Sequence, residues 1–174
     1  MGNVFDGFNT LFNQNEYFTN IEVGITSNKK YMLLDNMHVT YWHRDASSLQ
    51  QTQQGWGLVL SMTKYIQEKY LPFARVAYTK NAGSFMEWAV STGIGYQPKP
   101  GGHLFGLGLN WSQPNLDTYG NSLIHENQYL GELFARIQLS KRIALTPNAQ
   151  MILNPGLSTQ DGISMFSLRG RVNI

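Results

Sequence analysis

The chain has 174 residues, a formal net charge of +2 and no cysteine. Charged residues make up 14% and aromatics 13%, against about a quarter charged in an average soluble domain. The lack of Cys excludes a disulfide scaffold, a thiolate metal site and a Cys nucleophile. With no basic stripe on a nearly neutral chain, nucleic acid is not an expected partner.

No apolar run approaches the roughly 20 residues of a transmembrane helix. The opening Met1-Gly2-Asn3-Val4-Phe5 has no basic segment followed by an apolar one, so no signal peptide is read there and a truncated N-terminus is the expectation. Residues 1–15 read as the end of an external loop or the remnant of a broken strand.

From residue 16 onward, period-2 alternation recurs and helical spacing hardly occurs. About nine strands are predicted, over Glu16–Thr26, Tyr31–His43, Gly55–Tyr65, Tyr70–Lys80, Met86–Gln97, His103–Ser112, Gln128–Ser140, Arg142–Leu153 and Ile163–Ile174. Each is long enough to cross a bilayer when tilted, which takes about 9–11 residues, whereas strands of soluble domains run nearer 5–6. The connections 27–30, 66–69, 98–102 and 140–142 read as short, and 44–54, 81–85, 113–127 and 154–162 as longer. Bacterial barrels pair short periplasmic turns with longer external loops, so this rhythm places the C-terminus on the periplasmic side.

The two faces of each strand differ in kind. In the last strand Phe166, Leu168, Gly170, Val172 and Ile174 oppose Met165, Ser167, Arg169, Arg171 and Asn173. In the strand before it, Ile143, Leu145, Pro147, Ala149, Met151 and Leu153 oppose Arg142, Ala144, Thr146, Asn148 and Gln150. Arg75, Glu132, Arg136, Arg169 and Arg171 all avoid the apolar face, as they must if that face meets lipid, where an Arg or Lys near mid-bilayer costs about 2–4 kcal/mol. Tyr41, Trp56, Trp88, Tyr96, Trp111 and Tyr129 lie near strand ends, where barrels carry aromatic girdles. A soluble β-sandwich alternates too, with its apolar rows turned inward, so the direction of those rows decides between the two. Asp35 shares a face with Tyr31, Leu33, Met37, Val39 and Tyr41, which calls for a bulge or a different register. Lys64 shares one with Trp56, Leu58, Leu60 and Met62, where its stem would snorkel toward a turn.

The stretch from Leu104 onward resembles the carbohydrate-selective outer-membrane porin family (OprB type). The resemblance rests on Gly106-Leu107-Gly108-Leu109-Asn110-Trp111 with Pro114, and on Glu132-Leu133-Phe134-Ala135-Arg136. It continues through Leu145-Thr146-Pro147-Asn148-Ala149-Gln150-Met151-Ile152-Leu153-Asn154-Pro155 to Phe166-Ser167-Leu168-Arg169-Gly170-Arg171. Tyr41-Trp42-His43-Arg44-Asp45-Ala46 and Leu71-Pro72-Phe73-Ala74-Arg75-Val76 are similar to upstream family segments. The resemblance covers roughly residues 16–174. It implies an all-β, antiparallel up-and-down transmembrane β-barrel in the bacterial outer membrane, with about 16 strands around an aqueous lumen. About nine of those strands fall in this chain, which is therefore expected to be the C-terminal part of a porin barrel.

The implied function is passive diffusion of small neutral sugars, with outer-membrane lipid as surroundings and no cofactor or enzymatic activity. Such barrels usually end in an aromatic residue that the barrel assembly machinery reads in the last strand; Val172 and Ile174 depart from that pattern. Arg75, Arg136, Arg169 and Arg171 are the candidate donors to sugar hydroxyls, since each guanidinium offers five N–H groups in a fixed fork. Glu87 and Glu132 are candidate acceptors that would also hold guanidiniums in place. His38 and Trp42 share the polar face, with Trp42 placed to stack on a sugar ring. The alternatives are a general outer-membrane porin and a soluble sugar-binding β-sandwich. A barrel hydrolase is a weaker reading: His38, His43, His103 and His125 lack metal-ligand spacing, and His103 with Ser112 makes no nucleophile constellation.

Overall fold

The fold is taken from a computed structural model, which describes residues 16–27, 29–48 and 51–173. These residues form nine strands: β1 (Phe18–Ile25), β2 (Asn36–Arg44), β3 (Gly55–Thr63), β4 (Tyr70–Asn81), β5 (Met86–Tyr96), β6 (Leu104–Pro114), β7 (Gln128–Gln138), β8 (Ile143–Leu153) and β9 (Gly162–Val172). Each pairs antiparallel with the next, so the sheet runs β1 to β9 in chain order. One four-residue helix, α1 (Leu116–Tyr119), and two 3-10 turns lie in the connections. The expected strands recur with ends moved by no more than two residues, except at the start of β2. The stretch 1–15, read as a loop or broken strand, lies outside the described residues.

The sheet is a single layer, and among the described residues no second sheet packs over it as one would in a sandwich. Among the described residues only Ala82 and Ala144 are buried hydrophobics. The large apolar side chains are instead exposed, up to 83% at Phe166. Register gathers them on one face. Val39 of β2 lies opposite Leu60 of β3, which lies opposite Val76 of β4, which lies opposite Val90 of β5. In β2 and β3 the exposure pattern alternates with these residues on the open side. A soluble β-sandwich requires the reverse arrangement.

Rings border this apolar face at both ends. Tyr41, Trp56, Tyr78 and Trp88 form a continuous row across four strands, with centroid separations of 6.2, 5.4 and 4.6 Å. Trp111 lies opposite Tyr129 further along the same end. At the other end Tyr70 stacks on Tyr96 at 5.2 Å, and Tyr96 lies opposite Phe105. Eight residues separate the two rows on β4, about 27 Å along a strand. At the tilt of about 35–45° usual for membrane barrels this gives about 19–22 Å between the ring rows, a few ångströms short of the usual apolar band of about 25 Å.

The opposite face is crowded. Side chains on the concave side of a curved sheet converge, so a large one fits only beside a position without a Cβ. A Cβ on Gly106 would stand 2.1 Å from the Phe134 ring, and one on Gly57 would stand 2.4 Å from the Trp42 indole. Both glycines are buried under those rings, an aromatic-over-glycine pairing that pins register.

Two expectations about connections are corrected. Residues 31–35 are not strand: a 3-10 turn covers Lys29–Tyr31, and the N–H groups of Leu34 and Asp35 both donate to the Tyr31 carbonyl, at 2.7 and 2.8 Å. The β1–β2 connection is therefore as long as the β2–β3 connection. Conversely, the β4–β5 connection is a tight reversal, made possible by left-handed backbone at Asn81 (φ 57°), Ala82 (φ 60°) and Gly83 (φ 66°).

This corrected turn also accounts for Asp35 and Lys64. Asp35 is only 7% exposed, and its carboxylate accepts from the Ser27 hydroxyl at 2.7 Å and from Lys64 Nζ at 3.0 and 3.1 Å. The two charges that fit the apolar face poorly thus neutralise each other at its rim. Beside them Glu68 accepts from the Tyr31 hydroxyl and pairs with Lys30 at 3.5 Å, while Tyr31 meets Tyr65 edge-on at 5.0 Å. The β1–β2 and β3–β4 turns are clamped together by these contacts.

Two outcomes are expected. Leu60→Lys should destabilise the sheet in lipid by about 2–4 kcal/mol, and its neighbour Val59→Lys on the concave face by well under half of that, as measured by denaturant titration of vesicle-inserted protein. The Ser27 hydroxyl and then the Lys64 ammonium hold the Asp35 carboxyl below its ordinary value. Its contribution is therefore present above the unfolded Asp pKa of about 3.9 and is lost as pH falls through the lower folded value. Asp35→Asn should lose stability near neutral pH and show a flatter decline than the parent between about pH 4 and pH 2, followed by tryptophan fluorescence.

Candidate functional site

The concave face carries most of the polar and charged side chains of the strands, and four of the expected residues meet on it. Antiparallel register sets Glu132 of β7 opposite Gln150 of β8, Phe134 opposite Asn148, and Asn148 opposite Ser167 of β9. Thr146 lies opposite Arg169, and Ala144 opposite Arg171. Arg136 of β7 lies opposite Leu104 of β6. These side chains line a concavity of about 430 Å³, within the range of about 300–1,000 Å³ common for small-molecule sites. Arg169 and Arg171 are about 7 Å apart along β9, and Arg136 stands about 10 Å away across two strands, from standard strand geometry.

The chemistry of this wall is uneven. Three guanidiniums face it against the single carboxylate of Glu132, and that carboxylate accepts from the Asn148 side-chain amide. The expected pairing of Glu132 with an arginine is not made. Among the described residues, no carboxylate lies within 4.0 Å of Arg75, Arg136, Arg169 or Arg171. The Arg136 Nε is buried and finds no hydrogen-bond partner. A buried donor left so costs about 1–3 kcal/mol. Phe134 adds an apolar patch to an otherwise polar wall. Opposite Pro147, which has no N–H to give, the β7–β8 pairing skips Ala135 and Arg136.

The other expected residues share the face but not the concavity. Arg75 is exposed in β4, opposite Ser61 and Ser91. Glu87 falls where β5 and β6 shift register, between Met86 and Trp88. Trp42 lies over Gly57, with its ring 5.8 Å from that of Phe18. His38 Nδ1 lies 3.2 Å from Glu22, which also accepts from the Thr40 hydroxyl at 2.6 Å. Sequence reasoning missed this Glu22–His38–Thr40 group. It also passed over Thr146, Asn148, Gln150, Ser167 and Phe134, although alternation placed the polar residues of β8 on the right face; only cross-strand register shows which arginines they accompany. Among the described residues, no three His, Asp or Glu side chains gather as a metal site, and no helix is long and apolar enough to cross a membrane.

Comparison with known proteins agrees with this geometry. Among curated proteins no sequence matches the chain. A solved structure of OprB from Pseudomonas putida, determined at high pH, superposes with a TM-score of 0.64 at 12% identity. The match covers 88% of this chain and 47% of that one, so the chain spans about half the length of the solved structure it resembles. That likeness shows the fold: the same up-and-down antiparallel strand arrangement. The family model described as carbohydrate-selective porin, OprB family, matches residues 15–173. With nearly the whole sheet inside that match, the chain belongs to the OprB family of carbohydrate-selective porins.

Proposed function

We propose that this sheet is the C-terminal part of the wall of an outer-membrane porin through which small sugars diffuse passively. One observation carries the reading: exposed apolar rows between two aromatic borders occupy the face opposite the charged concavity. Hydrocarbon solvates the first face, and a water-filled lumen solvates the second. Family membership supports a channel rather than an enzyme and sugars as the permeant class. The longest connection, 115–127 with α1, lies at the end opposite the tight β7–β8 turn; this supports placing that loop outside and the C-terminal end of β9 on the periplasmic side. In this reading β9, ending at Val172, is the strand presented to the barrel assembly machinery.

Arg75, Glu87, Glu132, Arg136, Arg169, Arg171, His38 and Trp42 are then wall residues of the lumen. Passage requires contacts weak enough to release the sugar at each step, and dispersed guanidiniums and amides along a wide wall meet that requirement. The pore itself belongs to the closed barrel, of which this sheet is one part. That barrel, placed in a planar bilayer, should conduct ions and be partly blocked by millimolar glucose. Conductance indifferent to every sugar tested would leave a general porin. A protein that stays monodisperse without detergent and never conducts would overturn the reading.

A further inference from the structure

We infer that the concavity between β6 and β9 is a site for a carboxylate-bearing sugar, such as an aldonate or uronate, in preference to a neutral hexose. The inference rests on the porin reading for its route of access but on the concavity alone for its chemistry. Arg136, Arg169 and Arg171 stand within about 12 Å of one another by strand geometry, and no carboxylate lies within 4.0 Å of any of them among the described residues. Glu132, the one acid lining the concavity, is engaged by Asn148.

Hydroxyls of a neutral sugar would accept from these guanidiniums but leave the excess of positive charge, three guanidiniums against the one carboxylate of Glu132, unbalanced. A carboxylate balances charge and takes the two parallel N–H groups of a guanidinium fork, the stronger, geometrically specific contact. The rest of the concavity suits the remainder of such a molecule. Thr146, Asn148, Gln150 and Ser167 offer donors and acceptors for hydroxyls, and Phe134 offers an apolar surface for C–H groups. The buried, unpartnered Arg136 Nε is a further donor on the same wall.

The full chain, folded in detergent micelles, is titrated with sodium gluconate and separately with glucose at low ionic strength, and binding is read by amide chemical-shift changes in β7 to β9. Gluconate should bind at least tenfold more tightly than glucose and should weaken as salt is raised. The double variant Arg169→Gln/Arg171→Gln should lose most of that preference, gluconate affinity falling at least tenfold more than glucose affinity. Arg169→Lys/Arg171→Lys, which keeps charge but not the fork, should fall between the two. Equal affinity for gluconate and glucose, or a preference that survives the Gln double variant with unchanged strand chemical shifts elsewhere, would overturn the inference. Swelling of proteoliposomes that carry the closed barrel separates it from the porin reading. Sugar entry without gluconate preference removes the site and keeps the pore, whereas arginine-dependent gluconate binding without entry of any sugar keeps the site and removes the pore.

Discussion

Hydrocarbon offers no hydrogen-bond partner to a peptide group and no solvation to a charge. Both halves of that constraint are visible in this sheet. Each strand pairs antiparallel with the next in up-and-down order, so β2 to β8 have a partner strand on both sides. Each charge on the strands then has to lie on the concave side, near an end, or beside an opposite charge. Lys64 and Asp35 show the last solution at the rim, where a carboxylate and an ammonium share one contact with Ser27 alongside. Only two apolar side chains are buried among the described residues, so little of the stability of this sheet comes from a packed interior. It comes from the ladder and from the apolar face being matched to its surroundings.

Most of this was legible in the alternation of residue types. Strands β3 to β9 were placed nearly to the residue because a period of two is imposed from both sides at once, by an exposed apolar face and a polar one. The start of β2 was misread for a physical reason. Tyr31 and Leu33 continue the alternation in type, but the Tyr31 carbonyl captures the N–H groups of Leu34 and Asp35 and closes a turn instead. The misfit of Asp35 among apolar neighbours was the available signal. Loop lengths misled in the same region and at Asn81–Gly83, because left-handed backbone shortens a turn without changing its composition.

The candidate site was legible residue by residue but not as a group. Face assignment places Arg136, Arg169 and Arg171 on the polar face; it does not say that they adjoin, since β7 and β9 meet only through the register of β8. Arg75 and Trp42 look equivalent in sequence and lie elsewhere on the wall. The expected role of Glu132 changed for the same reason, because its nearest polar neighbour is set by the strand beside it and proves to be Asn148. Gly57 and Gly106 read as weak points in a strand, yet each makes room for a ring from the adjacent strand. Shape on the concave side is thus written partly in residues that have no side chain.

The count and order of strands carry a consequence of parity. The described residues form an up-and-down run of nine, so β1 and β9 point the same way. Two copies standing upright in one membrane would therefore meet edge to edge as a parallel seam, the less favourable of the two ladders. A ring closed by antiparallel pairing alone needs an odd complement of strands, entering against β9 and leaving against β1. The direction of its two rims thus makes this sheet selective about what can complete it.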